Sequence, residues 1–224
     1  MKAVIFDLDE TLIDRKGSLN FYAAKLRTDF QDFTDISESD FIALFHSLDG
    51  NGRVAREIFF GLLAEHAFRD LPVEKISDHF AQNAWVAPRL FSDILELLTS
   101  LREKSWKIGV ITNGKNYNQS QKLKNSGLIN KIDASVISES FGRKKPDRSI
   151  YEHLIAQLNI DPKQSWFIGD DPKSDIWGAK QLGFKTIWVE RHLAWPADLP
   201  RCYDARVTET AESAGVIDGY PTVD

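Results

Sequence analysis

The chain has 224 residues, of which 42% are hydrophobic, so it can bury the core of one large domain, with or without a smaller insertion. Its formal net charge is -5, so the chain lacks the excess of basic residues that is typical of proteins that bind nucleic acids. This argues against a nucleic-acid polymer as partner. The single cysteine, Cys202, excludes an internal disulfide framework, and we therefore expect a cytoplasmic protein. No apolar run approaches the roughly 20 residues that span a bilayer, so we expect no membrane partner.

Apolar segments rich in β-branched residues alternate with helical patterns along most of the chain. The segments predict buried strands of a parallel sheet, at residues 3–6, 107–111, 134–137, 166–168 and 186–189. Leucine and isoleucine recur at helical spacing between 90 and 101 and between 150 and 158, ahead of two of these strands. The alternation indicates βα units with right-handed crossovers and therefore an α/β fold.

Residues 15–86 break the alternation, because their apolar residues follow only helical spacing. Roughly four helices of ordinary length fit there. We therefore predict two domains, a core of residues 1–14 and 87–224 and a helical cap of residues 15–86. An insertion after the first strand would lie over the carboxyl ends of the strands, where open α/β sheets bind ligands, so it is a candidate lid.

The first predicted strand runs directly into Asp7 and Asp9, two carboxylates separated by one residue at a strand end where ligands bind. A structural alternative is that Asp9 and Thr11 cap a following turn, and the short pattern D-x-D-x-T alone favours this alternative. The choice between the two therefore depends on what the other strand ends carry.

The fourth predicted strand also ends in acidic residues, Asp170 and Asp171, and Asp175 follows at the start of a helical pattern. If both acidic strand ends border one pocket, each pair of carboxylates about 4 Å apart costs roughly 4 kcal/mol at an effective dielectric constant near 20. Protonation of one carboxyl group or a bound cation would relieve this repulsion. Oxygen ligands without histidine or cysteine favour Mg2+, which points to phosphate chemistry.

Two further strand ends carry polar residues. The second predicted strand ends in Thr112, Asn113 and Gly114, which could hold a phosphoryl oxygen or equally cap the helical pattern that follows. After the third strand comes a basic loop at residues 142–147, from which a lysine could reach inward and offset the charge of the aspartates. The alternative is that the lysines of this loop are solvated, and for Lys144 we favour that alternative.

In this order, the four motifs resemble those of the haloacid dehalogenase superfamily. They are D-L-D-E-T from Asp7, I-T-N ending at Asn113, K-P-D from Lys145 and G-D-D-P-K-S-D from Gly169. The resemblance implies a Rossmann-like parallel sheet with a helical cap of the superfamily's first type inserted after the first strand. The motif spellings are similar to those of the group that includes pyrimidine nucleotidases and small-metabolite phosphatases. We therefore expect a Mg2+-dependent phosphatase whose partner is a small-molecule phosphate ester, such as a nucleoside monophosphate or a sugar phosphate.

The resemblance also implies roles for single residues. Asp7 would be the nucleophile that carries the phosphoryl group and also a metal ligand. Asp9 would be the general acid and base, and would offer its backbone carbonyl to the metal. The other implied residues bind the phosphoryl group, namely Thr112, Asn113 and Lys145, or serve the metal, namely Asp170 as a direct ligand and Asp175 as a support from outside the ligand shell.

Two departures from the superfamily pattern fall beside the predicted site. Glu10 stands where glycine is common, and Asp171 replaces a small polar residue. Asp171 could be a further metal ligand or a turn residue, and we favour the turn.

Three other functions compete with the phosphatase hypothesis. A phosphomutase would share every motif and differ in the contacts of its cap and in the lifetime of the phosphoenzyme, and it would release little phosphate. A 2-haloacid dehalogenase would use Asp7 to attack carbon and would need neither a proton-donating Asp9 nor a metal cluster, which argues against it. A non-catalytic binding protein need not keep Asp7, Asp9, Lys145 and Asp170 together. Phosphatase is therefore the leading hypothesis, with phosphomutase as the alternative.

Overall fold

The computed structural model of the chain describes residues 1–220. Two units are distinguished: the core unit comprises residues 1–14 and the chain from residue 90 onward, and the helical unit is Arg15–Arg89. Residues 221–224, the end of the predicted core domain, lie outside the described residues. Within residues 1–220, no helix combines the length and the apolar character that crossing a bilayer requires.

The described part of the core unit is built on a parallel sheet. The strands of residues 1–220 are β1 (Ala3–Phe6), β2 (Ile13–Asp14), β3 (Arg89–Leu90), β4 (Lys107–Thr112), β5 (Ala134–Ile137), β6 (Trp166–Gly169), β7 (Lys185–Val189) and β8 (Ala205–Val207). Six of them form one sheet in the order β5-β4-β1-β6-β7-β8, and β2 pairs with β3 in a separate two-stranded sheet. All neighbours in the larger sheet are parallel. The predicted α/β fold is therefore confirmed, and the five predicted strands are β1, β4, β5, β6 and β7.

Helices connect the strands of the core unit and build the helical unit. Those of residues 1–220 are α1 (Arg15–Asp29), α2 (Glu38–Asp49), α3 (Arg56–Ala67), α4 (Val73–Asn83), α5 (Ile94–Glu103), α6 (Asn116–Asn125), α7 (Ser138–Phe141), α8 (Arg148–Leu158), α9 (Gly178–Lys180) and α10 (Ser213–Gly219). The predicted helical pattern from residue 90 was too long, since Leu90 lies in β3. The Phe91 amide donates to the Leu12 carbonyl at 3.1 Å, which keeps this segment extended until α5 begins at Ile94.

Apolar side chains cover both faces of the larger sheet. Successive residues of a strand point to opposite faces. On β1, Phe6 accordingly joins a cluster with Leu98 of α5, whereas Ile5 joins a second cluster with Leu154 of α8. Because both faces are covered, the carboxyl edge of the sheet is where polar side chains can gather.

The register of the sheet brings three strand ends together. Phe6, at the end of β1, pairs with Val110 of β4 and with Ile168 of β6. The next main-chain amide, that of Asp7, donates to the Ile168 carbonyl at 2.9 Å. The residues that follow β1, β4 and β6 therefore lie at one edge of the sheet.

Aromatic side chains form the core of the helical unit. Tyr22 of α1 packs edge to face against Phe45 and Phe80, with ring centroids 5.8 and 5.1 Å apart. Phe45 in turn packs against Phe59, with centroids 5.0 Å apart. These contacts link all four of the helices between residues 15 and 89 into one apolar cluster.

A charged residue is also buried in the helical unit. Asp49, the last residue of α2, has a side chain with no exposed area. Its carboxylate accepts from Arg15 and from Arg56, each at 2.8 Å, and from the Gly52 amide at 2.8 Å. These bonds compensate the desolvation of the carboxylate and fix the turn that follows α2.

Candidate active site

Three carboxylates and one lysine meet beyond the carboxyl ends of β1 and β6. Oxygen atoms of Asp7, Asp170 and Asp175 lie within 4.8 Å of one another, and all three residues are buried. Lys145 Nζ donates to Asp7 Oδ1 and to Asp175 Oδ1, both at 2.6 Å. The structure thus brings four of the predicted site residues, from two strand ends, one helical turn and one loop, into one buried cluster.

The charges of this cluster do not balance. Burial, together with the Asp175 and Asp9 carboxylates, raises the pKa of Asp7 to about 7, against the opposing effect of the Lys145 ammonium. Burial and the Asp7 carboxylate likewise raise the pKa of Asp170 well above its ordinary value. Burial lowers the pKa of Lys145, but the Asp175 and Asp7 carboxylates outweigh it, so the pKa is raised and the lysine stays charged. One ammonium among several carboxylates leaves excess negative charge, and these oxygen ligands fit a hard divalent cation.

A widened helical turn positions Asp175. The predicted helical pattern is wrong in detail here, because Pro172–Trp177 form a π-helical turn before α9 begins. The Asp171 carbonyl accepts from the Ile176 amide, five residues on, and the Asp171 side chain accepts from two amides at the start of the turn. The predicted turn role of Asp171 is therefore confirmed. The Asp175 side chain packs so closely on Gly169 that a Cβ there would overlap it.

Asp9 belongs to a second hydrogen-bonded group. Lys122 Nζ donates to both Asp9 carboxylate oxygens at 2.7 Å and to Gln119 Oε1 at 2.8 Å. Gln119 Nε2 donates to Asp9 Oδ2 at 3.0 Å and to Thr112 Oγ1 at 2.5 Å. The structure therefore joins two predicted site residues, Asp9 and Thr112, through side chains of α6.

The sequence motifs did not identify Gln119 and Lys122 as site residues. Both lie on α6, a helix rich in polar residues, and such a helix is typically solvated. The structure instead buries both side chains, with Lys122 only 2% exposed. The available sequence signal was the start of this helix directly after the strand end that carries Thr112.

Asn113 contacts the loop that carries Lys145. Its Nδ2 donates to the Lys145 carbonyl at 3.0 Å, and its Oδ1 accepts from the Lys145 amide at 2.8 Å. This paired contact fixes the backbone of Lys145, whose ammonium reaches the carboxylates. The prediction that Asn113 binds the phosphoryl group itself stays a prediction.

The structure explains two residues close to the site, Glu10 within the first motif and Lys144 next to Lys145. Glu10 adopts a left-handed backbone conformation, with φ of 61°, which gives a physical reason for glycine at this place in the superfamily. The Glu10 carboxylate lies 3.2 Å from His192 Nε2 and contributes to the raised pKa of Asp170. Lys144 is exposed, as expected for a solvated loop residue.

Comparison with known proteins agrees with the motifs. A family model described as haloacid dehalogenase-like hydrolase matches residues 4–189. A glyceraldehyde 3-phosphate phosphatase of Methanopyrus kandleri is 26% identical, with 85% of this chain and 84% of that protein covered. The pyrimidine 5'-nucleotidase YjjG of Escherichia coli is 28% identical, with 84% of this chain and 86% of that protein covered.

A solved structure has the same fold. It is that of a HAD phosphatase from Thermococcus onnurineus, with a TM-score of 0.66 and 23% identity over 99% of this chain and 100% of that one. The family model spans most of the core unit and the whole helical unit. From this match and the four motifs, we conclude that the chain belongs to the haloacid dehalogenase-like hydrolase family.

Proposed function

We propose that this protein is a Mg2+-dependent phosphatase that hydrolyses phosphomonoesters of small metabolites, with Asp7 as the nucleophile. The observation that carries the proposal is the buried Asp7 carboxylate, which accepts from Lys145 at 2.6 Å within a cluster of three acidic side chains. A nucleophile fixed beside a cation suits attack on an anionic phosphoryl group. The phosphatase and nucleotidase names of the relatives support the same class of reaction.

Mg2+ is the cofactor whose ligand preference fits the cluster. Its ligands would be the Asp7 and Asp170 carboxylates and the Asp9 backbone carbonyl, with Asp175 supporting the site through its contact with Lys145. Two observations support this assignment. The cluster has excess negative charge, and its three acidic residues are all aspartates, which offer oxygen ligands. When bound, the ion supplies positive charge to the phosphoryl oxygens.

The proposed reaction has two steps that Asp9 links by moving one proton. An Asp7 oxygen attacks phosphorus in line, the bond from phosphorus to the ester oxygen breaks, and Asp9 donates its proton to the departing alcohol. Water then attacks the phosphorus of the aspartyl phosphate and gives a proton to Asp9. The bond from phosphorus to the Asp7 oxygen breaks, which releases phosphate and restores the Asp7 carboxylate. Thr112 and Lys145 hold the phosphoryl oxygens in both steps.

We assign selection of the alcohol part of the substrate to the helical unit. The support is its place in the sequence, after the first strand of the sheet, and the different substrates in the names of relatives from one family. A cytoplasmic location is part of the same proposal, on the basis of the single cysteine.

The test is phosphate release from a panel of nucleoside monophosphates and sugar phosphates, with Mg2+ or with a chelator, for the wild type and Asp7→Asn. We expect release that requires Mg2+ and disappears in the folded variant. Isomerisation of an ester with little net release of phosphate would favour a phosphomutase. Release that is unchanged by Asp7→Asn or by the chelator would reject the proposal.

A further inference from the structure

A hydrogen-bonded group that includes Lys122 and Gln119 surrounds the Asp9 carboxylate. The Lys122 ammonium has three N–H donors, and three acceptors lie within hydrogen-bond distance of it: both Asp9 oxygens and Gln119 Oε1. The Gln119 amide has two N–H donors, which fit Asp9 Oδ2 and Thr112 Oγ1. Donors from one helix thus fix both the position and the rotation of the Asp9 carboxylate.

The same group orients the Thr112 hydroxyl. A hydroxyl that accepts a hydrogen bond keeps its own hydrogen for donation. Thr112 Oγ1 accepts from Gln119 at 2.5 Å and is almost fully buried at the end of β4. The Gln119 contact therefore favours a Thr112 hydroxyl that donates, as binding to an anionic phosphoryl oxygen requires.

The backbone at the end of β4 keeps Gln119 in place. Gly114 has a φ of 156°, and a Cβ there would lie 2.9 Å from Gln119 Cδ and 3.0 Å from its Cγ. The glycine thus allows the Gln119 side chain to pack directly on the main chain. Such close packing restricts the Gln119 amide to one place, which pre-organises its two contacts.

Burial of Lys122 is costly unless its charge is compensated. Its side chain is 3% exposed, whereas the Asp9 side chain is 23% exposed. The lysine is thus the buried partner, and the carboxylate is the one that solvent and a ligand can approach. This asymmetry suits a lysine that supports a reacting group from behind.

We propose that Lys122 and Gln119 are positioning residues, which hold the Asp9 carboxylate in the orientation that proton transfer requires and direct the Thr112 hydroxyl to the phosphoryl group. The proposal rests on the phosphatase function proposed above. In that reaction, Asp9 gives its proton to the ester oxygen as the bond from phosphorus to that oxygen breaks. A misplaced Asp9 then slows the departure of poor leaving groups more than that of good ones, because good ones need little protonation.

The experiment compares kcat/KM for an alkyl phosphate, a poor leaving group, with that for p-nitrophenyl phosphate, a good one. The variant is Lys122→Met, which keeps most of the side-chain volume, and the matched control is Lys124→Met, an exposed lysine of the same helix. We expect Lys122→Met to lose on the order of 100-fold for the alkyl ester and less than about 10-fold for the aryl ester. Lys124→Met should leave both values unchanged.

Equal losses for the two esters, or no loss, would overturn the positioning role, because a merely structural defect does not distinguish leaving groups. Should Lys122→Met fail to fold by circular dichroism, Gln119→Leu carries the same comparison. It removes one donor to Asp9 and the donor to Thr112, and we expect the same direction at about 10-fold. A wild type that hydrolyses neither ester would instead reject the phosphatase function itself.

Discussion

Lys145 is the residue that makes the acidic cluster compatible with burial. Its ammonium lies 2.6 Å from carboxylate oxygens of both Asp7 and Asp175, and its side chain is 2% exposed. Both carboxylates would otherwise face each other and Asp170 in a buried site without a compensating positive charge from this lysine. At the scale of single residues, the same lysine therefore supports the fold and supplies positive charge where a phosphoryl group would bind.

Replacing Lys145 should impair both activity and stability. Lys145→Met removes the cation from two buried pairs, so we expect kcat/KM to fall at least about 100-fold and the free energy of unfolding to drop by about 3–5 kcal/mol. Phosphate release and urea unfolding measure the two effects. Lys144→Met, at the exposed neighbouring position, is the control and should change neither. A Lys145→Met protein with near-wild-type activity would contradict the role given to this lysine.

Glu10 allows a test of backbone strain. Its φ of 61° is unfavourable for any residue with a side chain, by roughly 1–2 kcal/mol. Glu10→Gly and Glu10→Ala both remove the carboxylate and its contact with His192, so their difference isolates the backbone conformation. We expect the free energy of unfolding, measured with urea, to be about 1 kcal/mol higher for the glycine variant than for the alanine variant. An alanine variant of equal or greater stability would show that the residue is not strained.

Secondary-structure elements differ in how far the sequence predicted them. β1 and β5 were predicted with their observed ends, because short runs of apolar, β-branched residues are bounded by polar ones. The π turn Pro172–Trp177 was not predicted, since its geometry depends on hydrogen bonds of Asp171 that the spacing of apolar residues does not encode. Lys122 was missed for a similar reason, as its partner Asp9 lies 113 positions away.

The buried carboxylate at the end of α2 should contribute to the stability of the helical unit. Burial raises the pKa of Asp49, but the Arg15 and Arg56 charges outweigh it, so the pKa lies below its ordinary value. Asp49→Asn leaves two arginines without their carboxylate, and we expect a loss of about 3–5 kcal/mol at pH 7 in urea unfolding. Asp78→Asn, an exposed position on α4, should change the value by less than about 0.5 kcal/mol.

The pH dependence of stability provides an independent check on Asp49. A carboxyl group whose pKa is lower in the folded than in the unfolded protein contributes stability above its ordinary pKa. That contribution is lost as the pH falls from the ordinary value of 3.8 through the lower folded value. The difference in stability between the wild type and Asp49→Asn should therefore shrink in strong acid. A difference that is constant from neutral to strongly acidic pH would contradict the ion-pair interpretation.

At the scale of the whole chain, sheet topology brings distant motifs together. Asp7 and Lys145 are 138 positions apart in sequence, yet their side chains are hydrogen-bonded. The sequence predicted polar residues at four strand ends, and parallel strands place such ends at one edge. The order of the strands, with β1 between β4 and β6, determines which motifs become neighbours, and apolar patterning does not encode this order. The hydrogen bonds of Asp9 with side chains of α6 were evident only in the structure.

The most direct test of Asp7 as the nucleophile is detection of the phosphorylated enzyme during turnover. The protein is mixed with Mg2+ and a hydrolysed phosphomonoester, quenched in acid, digested and analysed by mass spectrometry. We predict one phosphoryl group on the peptide that contains Asp7, and no such peptide from Asp7→Asn under the same conditions. Turnover without phosphate on that peptide, or with phosphate on another residue, would contradict the assignment of Asp7 as the nucleophile.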